Sequence, residues 1–139
     1  MKAIVVEGKY DYAVLEGLFP QLSKRVMLRH AQGFSSAFAM MKTLIDYGYE
    51  VLAVFDTDSN KPDNDNRKII ERILPNNIVG RHFTIVWMDS CIEEVLERAV
   101  PGFNKGRITD RSLMTKATRY RQEIFKLSEF QEIQKFIDG

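Results

Sequence analysis

The sequence has little cysteine and little proline, and it has no long hydrophobic run. Its 139 residues include one cysteine, Cys91, and four prolines. A single cysteine excludes an intrachain disulfide framework and a zinc site built from several cysteines, and it favours a reducing compartment. The apolar run at residues 3–6 is far shorter than the about 20 residues that a membrane span needs. The sequence therefore predicts a cytoplasmic protein without a membrane segment.

An excess of charge of one sign is also missing. The chain has 20 Lys and Arg against 19 Asp and Glu, which gives a formal charge of +1. Its content of 45% hydrophobic and 28% charged residues is typical of a globular protein, and its length fits one domain. We predict an α/β core over residues 1–100 and a basic helical extension of the same domain over residues 101–139.

The charges are distributed unevenly along the chain. Residues 1–99 carry 12 basic and 14 acidic side chains, whereas residues 100–126 carry 7 and 2. Such a basic segment is suited to the phosphates of a nucleic acid, whose counterions it would release. A solvated helix face is the alternative, and the sequence leaves both open.

Four short apolar runs alternate with helical patterns. The predicted strands are residues 3–6, 26–28 (or 26–30), 51–55 and 83–88, and the predicted helices are 11–19, 34–47, 64–74, 90–100, 111–119 and 123–137. Continuous apolar runs such as VLAVF at 51–55 are typical of strands that helices cover on both faces. The alternation predicts a three-layer α/β sandwich on a four-stranded parallel sheet, joined by right-handed crossovers, with helices at the C-terminus.

Carboxylates follow three of these four strands. They are Glu7 and Asp11 after the first, Asp56 and Asp58 after the third, and Asp89, Glu93 and Glu94 after the fourth. A strand order of 2-1-3-4 would place Glu7 and Asp56 side by side at the switch point, where sites form in such sheets. Crowded carboxylates repel one another unless a cation neutralises them. Hard oxygen ligands of this kind suit Mg²⁺ or Mn²⁺.

Structural roles are the alternative for several of these residues. Aspartates after strands make turns and cap helices, and Ser90 with Glu93 also has the spacing of a capping box. Ser35 or Ser36 is expected to cap the helix at 34–47. Glu7 has no evident folding role, because it leaves a buried strand directly into a turn that contains glycine.

Three motifs resemble the Toprim domain of topoisomerases, bacterial primases, recombination-repair proteins and overcoming-lysogenization-defect nucleases. They are VVEGKYD at 5–11, the glycine-bearing loop at 32–33, and VFDTD at 54–58. The resemblance covers about residues 1–100. It implies that Glu7, Asp56 and Asp58 bind Mg²⁺ for phosphodiester cleavage or joining. Asp11 resembles a further metal ligand of the overcoming-lysogenization-defect type and of small stand-alone Toprim proteins.

The function implied is Mg²⁺-dependent cleavage or related phosphotransfer on DNA or RNA. One or two divalent ions would polarise the scissile phosphate and activate a bound water, and Glu93 is the predicted further ligand. Glu7, Asp56 and Asp58 are accordingly the predicted catalytic carboxylates. Lys9, Lys105 or Lys116 would stabilise the developing charge, and Lys9 and Lys116 are the predicted catalytic cations. The polar stretch 59–66 is predicted to form a lid.

Two other functions stay open. The same carboxylates would also suit a non-catalytic metal- and nucleic-acid-binding subunit, in which a protein partner supplies substrate binding. A receiver-like domain with Asp56 as phospho-acceptor is the third interpretation, although a receiver needs an acidic pair directly after its first strand. An oligomer is compatible with each of these functions.

Overall fold

A computed structural model of the chain describes residues 1–58, 65–73 and 83–139. Most of the predicted lid, residues 59–64, lies outside these ranges. Within them the structure is built from four strands and eight helices.

The four strands form one parallel sheet in the order β2-β1-β3-β4, as predicted. They are β1 (Lys2–Val6), β2 (Met27–His30), β3 (Glu50–Asp56) and β4 (Phe83–Met88). Val6 at the end of β1 lies in register with Val54 of β3, and Asp56 lies in register with Met88 of β4. The carboxyl ends of β1 and β3 are therefore neighbours, which confirms the predicted switch point.

Most helices lie close to their predicted positions. They are α1 (Lys9–Leu18), α2 (Leu22–Arg25), α3 (Phe34–Asp46), α4 (Asn66–Ile73), α5 (Ile92–Ala99), α6 (Asp110–Arg119), α7 (Arg121–Ile124) and α8 (Ser128–Asp138). The sequence did not predict α2, and the single helix predicted over 123–137 is wrong, because Leu127 is extended between α7 and α8. This break lets Ile124 and Phe130, on either side of it, both enter the core.

Glycines determine both ends of α3. Its N-cap is Gly33, at a φ of 93°, so the prediction that Ser35 or Ser36 caps this helix is wrong. The positive φ is a conformation that glycine adopts without a steric penalty and serine does not. At the other end Gly48, at a φ of 91°, follows the last turn, as predicted. The N–H of Tyr49 there donates to the Leu44 carbonyl at 3.0 Å, which closes a Schellman motif.

Two hydrophobic clusters on opposite faces of the sheet give the protein three layers. One cluster joins Ile4 and Val54 of the sheet to α1, α2 and α5 and to the C-terminal helices α6, α7 and α8. The other joins Val5 and Phe55 to α3 and α4. The C-terminal helices thus share a core with the sheet.

Among the helices that the structure describes, none is both long and apolar enough to cross a bilayer.

Helices α1 and α6 come closest at Gly17. A Cβ at this position would overlap the carbonyl oxygen of Met114 and lie 2.9 Å from the Cβ of Ala117. The Thr118 hydroxyl also donates to the Gly17 carbonyl at 2.9 Å. The basic segment is therefore attached to the core through a backbone contact that only glycine permits.

We predict that Gly17→Ala destabilises the protein. Overpacking costs about 1–3 kcal/mol, while the better helix propensity of alanine returns about 1 kcal/mol, so we expect a net loss of about 1 kcal/mol. Thermal and urea unfolding measure this change, with Glu16→Ala on the same helix as the control. A Gly17→Ala protein as stable as the wild type would contradict the close packing of α1 on α6.

Candidate functional site

The carboxylates at the strand ends are linked to one another through backbone N–H groups. Glu7 follows β1, and its Oε2 accepts a hydrogen bond from the N–H of Asp56 at 2.5 Å. The Oδ1 of Asp56 accepts one from the N–H of Ile92, at the start of α5, at 3.0 Å. These two hydrogen bonds connect the end of β1 to β3 and the end of β3 to α5. Glu7 and Asp56, two of the predicted ligands, therefore lie together, as the strand order requires.

Asp11 lies in the first turn of α1 and is only 6% exposed. Burial raises its pKa to about 7, and the charges of Glu93 and Glu7 add to this increase, whereas the backbone at Gly8 lowers it. Asp11 therefore lies close enough to Glu7 and Glu93 for their charges to raise its pKa.

Asp58 belongs to the same region and has a left-handed backbone, with a φ of 51°. Its Oδ2 accepts a hydrogen bond from the side-chain amide of Asn66 at 3.3 Å, and this amide also donates to the Asp56 carbonyl at 2.8 Å. Asn66 therefore orients the segment between the two aspartates. The sequence analysis did not identify Asn66, because no residue spacing indicates which way the start of α4 faces.

Of the two glutamates in the first turn of α5, Glu93 faces the cluster. Its charge raises the pKa of Glu7, Asp11 and Asp56, whereas Glu94 is exposed. The capping-box interpretation of Ser90 and Glu93 is wrong, because Cys91 is the N-cap of α5 and makes no side-chain capping bond. Glu93 is therefore not used to cap the helix.

Burial dominates the electrostatics of this cluster. It raises the pKa of Glu7 to about 7, with contributions from the charges of Asp58 and Glu93. It raises the pKa of Asp56 to about 8, with contributions from Glu7, Asp11 and Glu93. Within residues 1–58, 65–73 and 83–139, the charged groups that raise these pKa values are acidic. Neither ion pair in these ranges includes a member of the cluster.

A divalent cation fits the donor chemistry of this cluster. The donors are carboxylate oxygens, which Mg²⁺ and Mn²⁺ prefer, and the nearby Ser90 Oγ is buried without a hydrogen-bond partner. Across residues 1–58, 65–73 and 83–139, no three His, Cys, Asp or Glu side chains are arranged as a ready-made metal site. Glu7 and Asp56 each have an oxygen bound to a backbone N–H, so cation binding would require the side chains to adjust.

The candidate lysines have different surroundings. Lys9 is exposed at the start of α1, directly after the Glu7 loop. Lys105 is also exposed. The ammonium group of Lys116 donates to the carbonyls of Phe103 at 2.9 Å and Lys105 at 2.6 Å, so it holds the turn after α5. Catalytic roles for Lys9 and Lys116 stay predictions.

A network that the sequence did not indicate joins this turn to the site. The Tyr10 hydroxyl donates to Oδ1 of Asn104. The amide of Asn104 donates to the Glu93 carbonyl at 2.9 Å and to Oε2 of Glu97 at 3.1 Å. Asn104 therefore connects α1 and α5 next to the carboxylates. Tyr10 and Asn104 are 94 positions apart, and no motif links them.

The basic segment forms a groove on α6. Its volume is about 400 Å³, and it is lined by Thr109, Arg111, Ser112, Thr115, Lys116 and Arg119. Arg111 and Arg119 are exposed. The Lys116 ammonium and the hydroxyls of Ser112 and Thr115 donate to backbone carbonyls. The two exposed arginines are therefore the groups of this groove that suit phosphate oxygens.

The chain matches no family model, no curated protein and no solved structure. The Toprim resemblance therefore depends on the motifs and on the site that they form.

We predict that the carboxylate cluster makes the cation-free protein less stable as the pH rises. Because burial raises the pKa of Asp56 to about 8, the folded state retains a proton that the unfolded chain loses near pH 4. Stability should therefore fall between about pH 4 and pH 8. Asp56→Asn keeps the acceptor for Ile92 and removes the charge, so it should melt at a higher temperature than the wild type by a margin that grows over this range.

Thermal melts in EDTA at several pH values test this prediction, with Asp46→Asn on the exposed face of α3 as the control. A difference between Asp56→Asn and wild type that stays constant with pH would show that the Asp56 charge carries no such penalty.

Proposed function

We propose that this chain is a Toprim-type protein that uses Mg²⁺ to cleave phosphodiester bonds in DNA or RNA, or to perform a related phosphotransfer. The observation that carries the proposal is the cluster of carboxylates where β1, β3 and α5 meet, buried at Asp11 and partly buried at Glu7 and Asp56, with raised pKa values. Ionising these carboxylates together is costly, and a cation bound among them would offset that cost. A cytoplasmic location accords with a single free cysteine.

The residues that would hold the cation are Glu7, Asp56 and Asp58, with Asp11 and Glu93 as further ligands. When bound, the cation supplies Lewis-acid polarisation of the phosphate and a water of lowered pKa. The chain positions these ligands through the backbone N–H groups that hold Glu7 and Asp56.

The loop after β1 favours the approach of a phosphate. A Cβ built at Gly8 meets no atom of the described residues within 4 Å, and Lys9 beside it is exposed. We propose that Lys9 stabilises the charge that develops on the phosphate during cleavage. The phosphates outside the scissile bond would lie on the basic groove of α6.

One observation favours the second candidate, a binding subunit without catalytic activity of its own. The Lys116 ammonium, a predicted catalytic cation, is bound to the carbonyls of Phe103 and Lys105. A partner protein would then complete the site or deliver the substrate, and cleavage would appear only in the complex.

We predict that the purified protein cleaves plasmid DNA, single-stranded DNA or structured RNA in Mg²⁺ or Mn²⁺ and is inactive in EDTA. Because a catalytic cation supplies several kcal/mol, Asp56→Asn and Glu7→Gln should each lower the rate by at least about 100-fold. Asp46→Asn is the matched control, since it removes an exposed carboxylate outside the cluster. Equal cleavage by Asp56→Asn would contradict the proposed mechanism.

We predict that the groove on α6 contributes to nucleic-acid binding. Replacing Arg111 and Arg119 together by alanine should lower the affinity for an oligonucleotide and reduce the slope of log affinity against log salt by about 2. Fluorescence anisotropy at several salt concentrations measures both quantities. The control replaces Lys42 and Lys68, which are exposed on α3 and α4 in the opposite layer. An equal loss of affinity in both double variants would show that binding follows net charge and not this groove.

A further inference from the structure

Ser90, between β4 and α5, has a hydroxyl group that the fold leaves without a partner. The residue is 7% exposed, and its Oγ makes no hydrogen bond to any residue that the structure describes. Buried hydroxyls almost always have a partner, because burying one without compensation is unfavourable. A buried hydroxyl without a partner requires an explanation, and a role in binding an ion or a water is one of the few explanations available.

The backbone of Ser90 is held in an unusual conformation. Its φ is 62°, in the left-handed region that serine seldom adopts. Its N–H donates to Oγ1 of Thr57 at 2.7 Å, and its carbonyl accepts from the N–H of Asp58 at 2.9 Å. Strain of this sort persists where the surrounding structure enforces it, and such positions cluster at ligand sites. The fold therefore fixes Ser90 against the segment that carries the two aspartates.

The neighbours of Ser90 place it at the edge of the carboxylate cluster. Asp58 is bound to its carbonyl. Two residues further on, the N–H of Ile92 donates to Oδ1 of Asp56. Ser90 thus contacts Asp58 directly and precedes by two residues the N–H that binds Asp56. A hydroxyl oxygen is a hard donor, and serine and threonine hydroxyls are established partners of Mg²⁺ in phosphoryl-transfer sites.

We propose that Ser90 Oγ is an oxygen ligand, direct or through one water, of the divalent cation held by Asp56 and Asp58. This inference rests on the proposed function, since it requires a cation at the cluster. It adds a neutral donor to a set otherwise made of carboxylates. Cation binding by Ser90 would also explain both its unpartnered hydroxyl and its left-handed backbone.

The test is a calorimetric titration of the purified full chain with Mn²⁺ at pH 8, for the wild type, Ser90→Ala and Ser90→Gly. Both variants remove the hydroxyl, but only glycine also relieves the left-handed backbone. We expect each to weaken Mn²⁺ binding by at least about 10-fold, the effect of losing a partner at a metal site. Ser35→Ala, at an exposed position on α3, should bind as the wild type does.

A melt in EDTA separates the metal role from a structural one. Removing an unpaired buried hydroxyl should leave the melting temperature unchanged or raise it. A variant that is at least as stable as the wild type but binds Mn²⁺ more weakly supports the inference. Ser90→Gly remains informative if Ser90→Ala folds poorly, because it carries no strain at φ 62°.

Two results would overturn the inference, and only one of them would also overturn the proposed function. If the wild type binds Mn²⁺ and both variants bind it equally tightly, Ser90 is not a ligand and the proposed function is unaffected. If the wild type shows no saturable Mn²⁺ binding, the inference and the proposed function both fail.

Discussion

The partial removal from water of neighbouring carboxylates at the ends of β1 and β3 is the constraint on which the rest of the site depends. Glu7, Asp11 and Asp56 have raised pKa values because burial removes them from water and their charged neighbours are acidic. A protein core would avoid this arrangement on grounds of stability alone, because uncompensated buried charge is unfavourable. The hydrogen bonds from the N–H groups of Asp56 and Ile92 offset part of the cost. We propose that the benefit of this arrangement lies in cation binding.

The strained residues of the site support this interpretation. Asp58 and Ser90 are non-glycine residues with positive φ, and they lie in the loops that follow β3 and β4. They are held by hydrogen bonds to each other's segments, from Ser90 to the Thr57 hydroxyl and from Asp58 to the Ser90 carbonyl. The parallel sheet beneath them is fully packed on both faces. The sheet thus carries loops whose backbone geometry is unfavourable in isolation, and strained positions of this kind cluster at functional sites.

The sequence predicted the parts of this site that depend on strand order. Continuous apolar runs identified the strands, and the carboxylates after them fixed Glu7 and Asp56 as neighbours once the order 2-1-3-4 was inferred. It did not predict contacts that depend on loop conformation. The bond from Tyr10 to Asn104 and the orientation of Lys116 toward backbone carbonyls arise from how the C-terminal helices pack on α1. Local spacing carries no information about such contacts.

The most direct test of the account is the number of protons released when Mn²⁺ binds, measured by calorimetry at pH 7 in two buffers with different ionisation enthalpies. Because the pKa values of Glu7, Asp11 and Asp56 lie near or above 7, these carboxylates are partly protonated before the cation binds, and binding should displace the protons. The account predicts saturable binding with net proton release, which diminishes at pH 9. Saturable binding without proton exchange, or no binding, would contradict the claim that this cluster is a metal site.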